Sequence, residues 1–229
     1  MNRLYLKLIA ALTMVIDHVA YIFLEHNSDL YLAFRMVGRI SFVLFAFMIA
    51  EGFRNTKDIR KYLLRLGLAA LILEVFIVIY YFVTDINMII SFNILWTLFV
   101  GLLSLYLFFH KNIYLKILVI PLVIASELIG FSYGAYGVLM ILFFGVYRNK
   151  VTNLLHLIFL NLLFIEKPLL SYLNLEEMSA LSVNQWFSVA AIIFIFVYNG
   201  NPGRYKMRWF FYIFYPGHLI VLYLIDLLI

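Results

Sequence analysis

Four ionisable side chains lie well inside the first two long apolar segments of the chain, where charged groups are costly. Asp17 and His18 lie in the first segment, and Arg35 and Arg39 lie in the second. Residues four apart project from one face of a helix, so the two arginines share a face. The connection between the segments is short, which favours antiparallel neighbouring helices and predicts an ion pair between Asp17 and Arg35 or Arg39. That pair would lock the helices together, serve a functional site, or do both.

Lys7 and His18 form a second pattern within the first segment. They are eleven positions apart, and eleven steps of about 100° return to within about 20° of the starting direction, so both lie on one face. The rise between them is about 16 Å. A cation at the membrane rim and a deeper imidazole on the same face suit a long anionic ligand. The alternatives are ordinary ones, because the positive-inside rule also explains Lys7 and membrane histidines often only bond a neighbouring helix.

The other polar residues of the apolar segments are more dispersed. Glu51 lies near the end of the second segment, Glu74 in the third, Glu127 in the fifth and His218 in the last. A charged group near the bilayer centre costs roughly 2.5–3.5 kcal/mol, so we expect pairing, neutralisation or hydration at each. His218 follows a Pro-Gly pair, which loosens a helix and exposes backbone carbonyls, as in the broken helices of ligand sites. An ordinary proline kink, with His218 bonded to a neighbouring helix, is the alternative.

Metal and nucleotide motifs do not occur in this sequence. The five histidines have no metal-ligand spacing, there is no cysteine, and the glycines form no phosphate-binding fingerprint. We therefore expect no metal site.

The elements that position these residues follow from composition. Of the 229 residues, 66% are hydrophobic and 13% charged, against about 45–50% and about 25% in soluble domains. A soluble fold of this size could not bury so much apolar surface, which excludes a soluble enzyme, a nucleic-acid-binding protein and a disordered chain. The apolar segments are continuous, without the alternation of period two that strands require. We therefore predict an all-α polytopic membrane protein.

Nine apolar segments are predicted to span the membrane, and basic residues give their orientation. The segments are 4–24, 30–53, 62–84, 88–109, 113–130, 134–147, 151–165, 183–199 and 209–228. Fourteen of the 17 basic residues lie at the N-terminus or after an even-numbered segment, on one side. The other side carries acids at 25, 29, 85, 166, 176 and 177, with Lys167 among them. The positive-inside rule then predicts a cytoplasmic N-terminus and an outside C-terminus. We expect one helical bundle, a single domain covering 1–229.

Several short runs resemble the TraX family, the membrane acetylases named for the enzyme that acetylates the N-terminus of F-type conjugative pilin. The runs are 14–18 (MVIDH), 38–42 (GRISF), 50–54 (AEGFR), 62–66 (YLLRL), 136–137 (YG), 198–200 (YNG) and 214–218 (FYPGH), with Glu74 and Gln185 between them. They occur in order across essentially the whole chain. Val43 and Val75 stand where the family leads us to expect proline, which concerns helix shape more than chemistry.

The resemblance implies acetyl transfer in the bacterial cytoplasmic membrane. In the broader transmembrane acyltransferase superfamily a first-helix Arg or Lys, ten residues and a His recur, which Lys7 and His18 match. Cytosolic acetyl-CoA would be the donor. The acceptor would be an amine or hydroxyl of a membrane or extracytoplasmic molecule: a pilin-like N-terminus, a lipoprotein or a glycan. We expect His18 to be the general base and Asp17 to fix Arg35 or Arg39. Arg39 would stabilise the oxyanion or hold the anionic parts of the ligand.

The donor site is expected to draw on further residues. The candidates for binding acetyl-CoA are Lys7, Arg35, Glu51, Arg54, Asn199 and His218. The basic ones would hold its phosphates. Direct transfer is the default, with an acetyl-histidine intermediate as the variant.

Two other functions use the same residues. A proton-coupled transporter or permease would also need intramembrane Asp, Glu, His and Arg and a broken helix, although we find no internal repeat. A noncatalytic membrane chaperone for a partner protein is the third possibility.

Overall fold

The computed structural model describes residues 1–26, 28–84, 92–165, 183–201, 203 and 210–228. Their helices are α1 (Arg3–Phe23), α2 (Asp29–Asn55), α3 (Ile59–Thr84), α4 (Ile94–Phe108), α5 (Ile113–Ile117), α6 (Val119–Leu128), α7 (Gly134–Val146), α8 (Lys150–Phe164), a 3-10 helix (Val183–Ala190), α9 (Ala191–Val197) and α10 (Phe210–Asp226). The described residues contain no strand, only an isolated bridge between Phe92 and Phe131. The all-α prediction is confirmed for this part of the chain.

Each predicted span coincides with helical structure where the chain is described. Three helices, α1, α2 and α3, are long and apolar enough to cross a membrane. The other apolar helices are shorter, so the count of nine crossings and the orientation of the termini stay predictions. Of the loop residues that gave the orientation, those at 85, 166, 167, 176, 177, 204, 206 and 208 lie outside the described residues.

Two predicted spans are not single α-helices. The segment 113–130 divides at Leu118 into α5 and α6. Pro121 explains the division, because it has no N–H to donate to the carbonyl of Ile117, where α5 ends, and it fits the first turn of α6. The segment 183–199 begins as the 3-10 helix and continues as α9.

The described residues group into two compact units. The first contains the described residues of Met1–Phe45, Asn149–Glu166 and Ser182–Ile229, and the second contains those of Ala46–Arg148. In the first unit α1 packs on α10, and α8 packs on the 3-10 helix and α9. In the second unit α4 packs on α3, α6 and α7. The helix α2 contributes its first part to one unit and its last part to the other. The single-domain prediction stays a prediction.

Glycines set the close packing of α4 against α7 in the second unit. A Cβ on Gly101 would fall on Ile141, and one on Gly145 would fall on Leu105. Small residues at such contacts let two apolar helices approach closely, which gains van der Waals contact where the hydrophobic effect is weak. Leu105 and Ile141 are fully buried as a result.

Asparagine side chains begin four of the helices. Asn2, Asn93, Asn112 and Asn149 each accept a backbone N–H from the first turn that follows. The first N–H groups of a helix have no partner within it, and asparagine is among the side chains that best supply one. These four contacts fix where α1, α4, α5 and α8 start.

Candidate active site

Asp17 on α1 binds both arginines of α2. Its Oδ2 lies 2.6 Å from Nη1 of Arg35 and its Oδ1 lies 3.0 Å from Nη2 of Arg39. The exposed fractions of the side chains of Asp17, Arg35 and Arg39 are 17%, 23% and 13%, so the group is largely withdrawn from solvent. The sequence predicted a pair with one arginine, and the structure shows a triad of Asp17, Arg35 and Arg39. The formal charges of the three side chains add up to one positive charge.

Gly38 allows this close approach of α1 to α2. A Cβ at position 38 would fall on the Asp17 side chain, so a larger residue there would displace the carboxylate. Further along α2, the Ser41 hydroxyl donates to the carbonyl of Ala10 at 3.0 Å. Residue numbers thus rise along α2 as they fall along α1, so the two helices are antiparallel, as the short connection predicts.

Further contacts orient the two guanidinium groups. Arg39 Nε donates to the carbonyl of Arg35 at 3.2 Å, and its Nη1 lies 3.5 Å from Oε1 of Gln185 on the 3-10 helix. The Arg35 guanidinium lies 5.5 Å from the ring centre of Tyr21 and 6.0 Å from that of Tyr31, within the range of cation–π attraction. Arg39 is held by directed hydrogen bonds, and Arg35 is enclosed by aromatic rings.

His18 is hydrogen-bonded to His218 of α10. Its Nδ1 lies 2.8 Å from Nε2 of His218, and Nδ1 of His218 lies 2.9 Å from the carbonyl oxygen of Phe214. The two rings are tilted by 34° with centres 5.0 Å apart. Both histidines are half-buried. The sequence predicted that His218 binds the donor, and in the structure it is hydrogen-bonded to His18, the candidate base.

Lys7 lies on the same side of α1 as His18. Its Nζ lies 5.3 Å from the ring centre of Phe211, so both Lys7 and His18 contact α10. The prediction that they share one helix face agrees with these contacts. Lys7 contacts Phe211 and His18 contacts His218, so residue numbers rise in the same direction and α1 and α10 run parallel.

The chain is similar to a known protein family and to a fimbrial protein. The family model described as "TraX protein" matches residues 2–226. The chain belongs to the TraX family. It is also 28% identical over 232 residues to the "Probable fimbrial assembly protein FimC, serogroup H1" of Dichelobacter nodosus, which covers 95% of this chain and 92% of that protein. No solved structure matches the chain.

Three of the runs that resemble the TraX family supply contacts of the candidate site in the first unit. The run 14–18 supplies Asp17 and His18, and the run 38–42 supplies Arg39 and the glycine that accommodates the carboxylate. The run 214–218 supplies His218 together with its carbonyl acceptor. Gln185, which was noticed only through the resemblance, is fully buried beside Arg39. It lies 146 residues from that arginine, and no local pattern indicates the contact.

Glu51 and Arg54 lie in the second unit and hold a helix end. Arg54 Nη1 lies 2.7 Å from Oε1 of Glu51, and Nη2 donates to the carbonyls of Phe144, Gly145 and Tyr147 at the end of α7. A guanidinium suits this position, because the last carbonyls of a helix have no intrahelical partner and carry partial negative charge. The Arg54 side chain is thus engaged by protein atoms.

Asn199 lies in the first unit, at a junction with the chain's N-terminus. Its backbone N–H donates to the carbonyl of Met1 at 3.0 Å, and its side chain accepts the N–H of Asn201 at 3.1 Å. Lys150 Nζ donates to the carbonyls of Phe196 and Tyr198, just before Asn199 in the chain, at 2.6 and 3.2 Å. Asn199 therefore shapes the turn that follows α9, and Lys150 binds the carbonyls at the end of that helix.

Glu74 and Glu127 of the second unit each bind the start of a helix. Glu74 Oε2 accepts from the backbone N and from Nδ2 of Asn93, at 3.1 and 2.6 Å, just before α4. Glu127 Oε2 accepts from the backbone N of Ala135 at 2.8 Å, in the first turn of α7. A carboxylate at a helix N-terminus is stabilised by the N–H groups and the helix dipole. The sequence left pairing, neutralisation and hydration open for these carboxyl groups, and the structure pairs both with N–H donors.

The described part of the chain contains no cluster of three or more metal-ligating side chains. What the first unit does bring together is a pair of linked imidazoles, with a guanidinium pair bound to the residue next to one of them. An imidazole can take and return a proton near neutral pH, and a guanidinium can stabilise a developing negative charge. The arrangement is suited to acid–base chemistry on a substrate that becomes anionic.

Proposed function

We propose that this protein is a membrane acetyltransferase that moves an acetyl group from cytosolic acetyl-CoA to an amine or hydroxyl of a membrane or extracytoplasmic acceptor. The observation that carries the proposal is the ring-to-ring hydrogen bond that holds His18, on the helix face it shares with Lys7. The adjacent Asp17–Arg35–Arg39 triad adds a net positive charge. Membership of the TraX family supports the same reaction.

The acceptor that the relatives favour is a pilin-like N-terminal amine. The resemblance to the TraX family implies a pilin acetylase, and the Dichelobacter nodosus relative is named for fimbrial assembly. Pilin and fimbriae are both parts of surface filaments. A lipoprotein amine and a glycan hydroxyl are the other acceptors for which the same chemistry would serve.

The reaction needs one base and one group that stabilises negative charge. The acceptor nitrogen attacks the thioester carbonyl, which forms the new C–N bond and places negative charge on the carbonyl oxygen. Arg39 offsets that charge. His18 takes the proton of the attacking nitrogen, the C–S bond breaks, and the CoA thiolate receives that proton from His18. Amide and free thiol are the products.

The donor fits the length of α1. Lys7 and His18 are separated by a rise of about 16 Å on one helix face. If a phosphate group of CoA binds Lys7, the chain of CoA that carries the thioester can extend along that helix face toward His18. Glu51, Arg54 and Asn199 are engaged at helix ends, and we propose structural parts for them. Arg35 and Arg39 share the single carboxylate of Asp17, so the pair of guanidinium groups keeps a net positive charge.

The test uses the full chain in lipid nanodiscs with acetyl-CoA labelled in its acetyl group. The acceptor probe is a synthetic apolar peptide with a free α-amine, and the same peptide with a blocked amine is the blank. We expect His18→Gln to lose at least about a hundredfold in transfer while retaining CoA binding. His110→Gln changes a histidine of the loop before α5 and serves as the matched control.

Two results would contradict the proposal. One is the absence of saturable CoA binding by the wild-type protein. The other is equal transfer by the wild type and a folded His18→Gln variant. Uptake of a solute by proteoliposomes, abolished by the same substitution, would favour the transporter instead.

A further inference from the structure

The hydrogen bonds around His218 determine which nitrogen of each ring carries a proton. A backbone carbonyl can only accept, so Nδ1 of His218 donates to the Phe214 oxygen, 2.9 Å away. A neutral imidazole has one N–H, so Nε2 of His218 has a lone pair and accepts. Nδ1 of His18, 2.8 Å from that nitrogen, must then be the donor. The lone pair of His18 is therefore on its Nε2.

We infer that His218 is a positioning residue that, with the Phe214 carbonyl, keeps His18 in the tautomer whose Nε2 can accept a proton. The inference rests on the proposed function, because a defined tautomer matters to a base. The arrangement has the same logic as a catalytic triad, in which a third group fixes the tautomer and orientation of the base. Here that third group is a neutral ring anchored to a carbonyl.

The surroundings of His218 restrict its ring. The ring of Phe214 stacks on it, with centres 5.3 Å apart and planes 13° from parallel. The ring of Tyr215 meets it edge-on at 5.4 Å and 68°. Phe214 thus contributes both a carbonyl and a stacked ring, which is possible because residues four apart lie on one helix face. A ring held from two sides cannot turn to present its other nitrogen without losing these contacts.

The Pro-Gly pair before His218 does not break α10. The helix runs from Phe210 to Asp226 with Pro216 inside it. His218 bonds His18 of the neighbouring helix α1, which is the alternative that the sequence left open for this residue.

The inference makes one specific statement about the reaction. When His18 takes the proton of the acceptor nitrogen at Nε2, both of its ring nitrogens carry a proton, and Nδ1 still donates to His218. The imidazolium keeps its orientation and can return the Nε2 proton to the CoA thiolate. No proton has to leave by way of His218, whose own N–H remains on the Phe214 carbonyl.

The kinetic test compares two substitutions of His218 in the full chain in nanodiscs. His218→Leu removes the acceptor, and we expect kcat to fall roughly 10²–10⁴-fold, as for loss of a tautomer-fixing group. The KM for acetyl-CoA should stay within about twofold if His218 positions His18, whereas a donor-binding His218 would raise it. His218→Gln supplies an amide oxygen as acceptor and should recover at least about tenfold over His218→Leu. Equal activity of the leucine and glutamine variants would overturn the inference, whether both are active or both inactive.

A spectroscopic test does not depend on activity. With ¹⁵N-labelled histidine, the His18 signals are identified by their loss in His18→Gln. We expect wild-type His18 to be protonated at Nδ1 with a bare Nε2, and His218→Leu to lose that preference. A wild-type His18 protonated at Nε2 would overturn the inference. If the wild-type protein neither binds CoA nor transfers acetyl, the proposed function fails, whereas the nitrogen shifts still decide the tautomer.

Discussion

The two units use their intramembrane charged groups in different ways. In the second unit Glu74 and Glu127 bind backbone N–H groups at helix starts, and Arg54, just after the second predicted span, binds carbonyls at a helix end. In the first unit Asp17 binds the side chains of Arg35 and Arg39. The first kind of contact satisfies backbone groups that the helices themselves leave unpaired. The second kind satisfies no such requirement.

This difference separates structural from functional candidates. A carboxylate that caps a helix is explained by the fold, even when a sequence places it in the middle of an apolar segment. A triad of one carboxylate and two guanidiniums keeps a positive charge in a poorly solvated place, which folding alone does not favour. Intramembrane charge alone therefore does not distinguish the candidate site from structural contacts; the partner of each charge does.

The largest expected effect is that of removing Asp17. Asp17→Ala leaves two guanidiniums without their shared carboxylate, which we expect to cost about 3 kcal/mol of unfolding free energy and to abolish transfer. Thermal unfolding in detergent and the labelled transfer assay measure the two effects. Asp17→Asn keeps the shape and should lose less stability. If Asp17→Ala unfolds at the wild-type temperature, the triad is not what joins α1 to α2.

A smaller effect is expected when charge is kept and geometry is lost. Arg39→Lys retains the cation but cannot bind Asp17, Gln185 and the carbonyl of Arg35 together. We expect transfer to fall roughly ten- to a hundredfold with little change in stability. Arg60→Lys, an exposed substitution in the first turn of α3, is the matched control. Full activity of Arg39→Lys would reduce the role of Arg39 to simple charge.

The second unit should respond in stability rather than activity. Glu127→Gln replaces a carboxylate at the start of α7 by a neutral amide, which we expect to cost about 1 kcal/mol. Transfer per folded molecule should match the wild type. Glu25→Gln, in the exposed loop after α1, controls for the loss of one charge. A hundredfold loss of transfer in Glu127→Gln would remove the distinction drawn between the units.

The smallest effect is expected at Asp58, a carboxylate outside the predicted spans that also accepts a backbone N–H at the start of a helix. Asp58 precedes α3 and accepts the N–H of Lys61 at 3.0 Å, and this bond holds the pKa of the carboxyl below its ordinary value. A lowered pKa means that the stabilisation is present above the ordinary value and disappears as the pH falls through the lowered one. Melting curves of wild type and Asp58→Ala should differ slightly at pH 7 and converge in acid. Curves that diverge on acidification would contradict this sign.

The sequence predicted local features of this molecule well. Continuous apolar segments located the helices, and the short connection between the first two predicted the pairing of Asp17 with an arginine. The break at Leu118 was missed because the segment stays apolar across it, although Pro121 was a usable signal. The contact of His18 with His218 could not be predicted, because one sequence does not state which of many similar helices become neighbours. Gln185 was hidden for the same reason.

The parallel contact of α1 with α10 has a consequence for biosynthesis. His18 and His218 are 200 positions apart, and a ribosome delivers α1 long before α10. The Asp17 triad can assemble as soon as α2 has entered the membrane, since all its members are then present. The imidazole pair has to wait for the last described helix. A nascent or prematurely terminated chain therefore carries a folded beginning without its linked histidines.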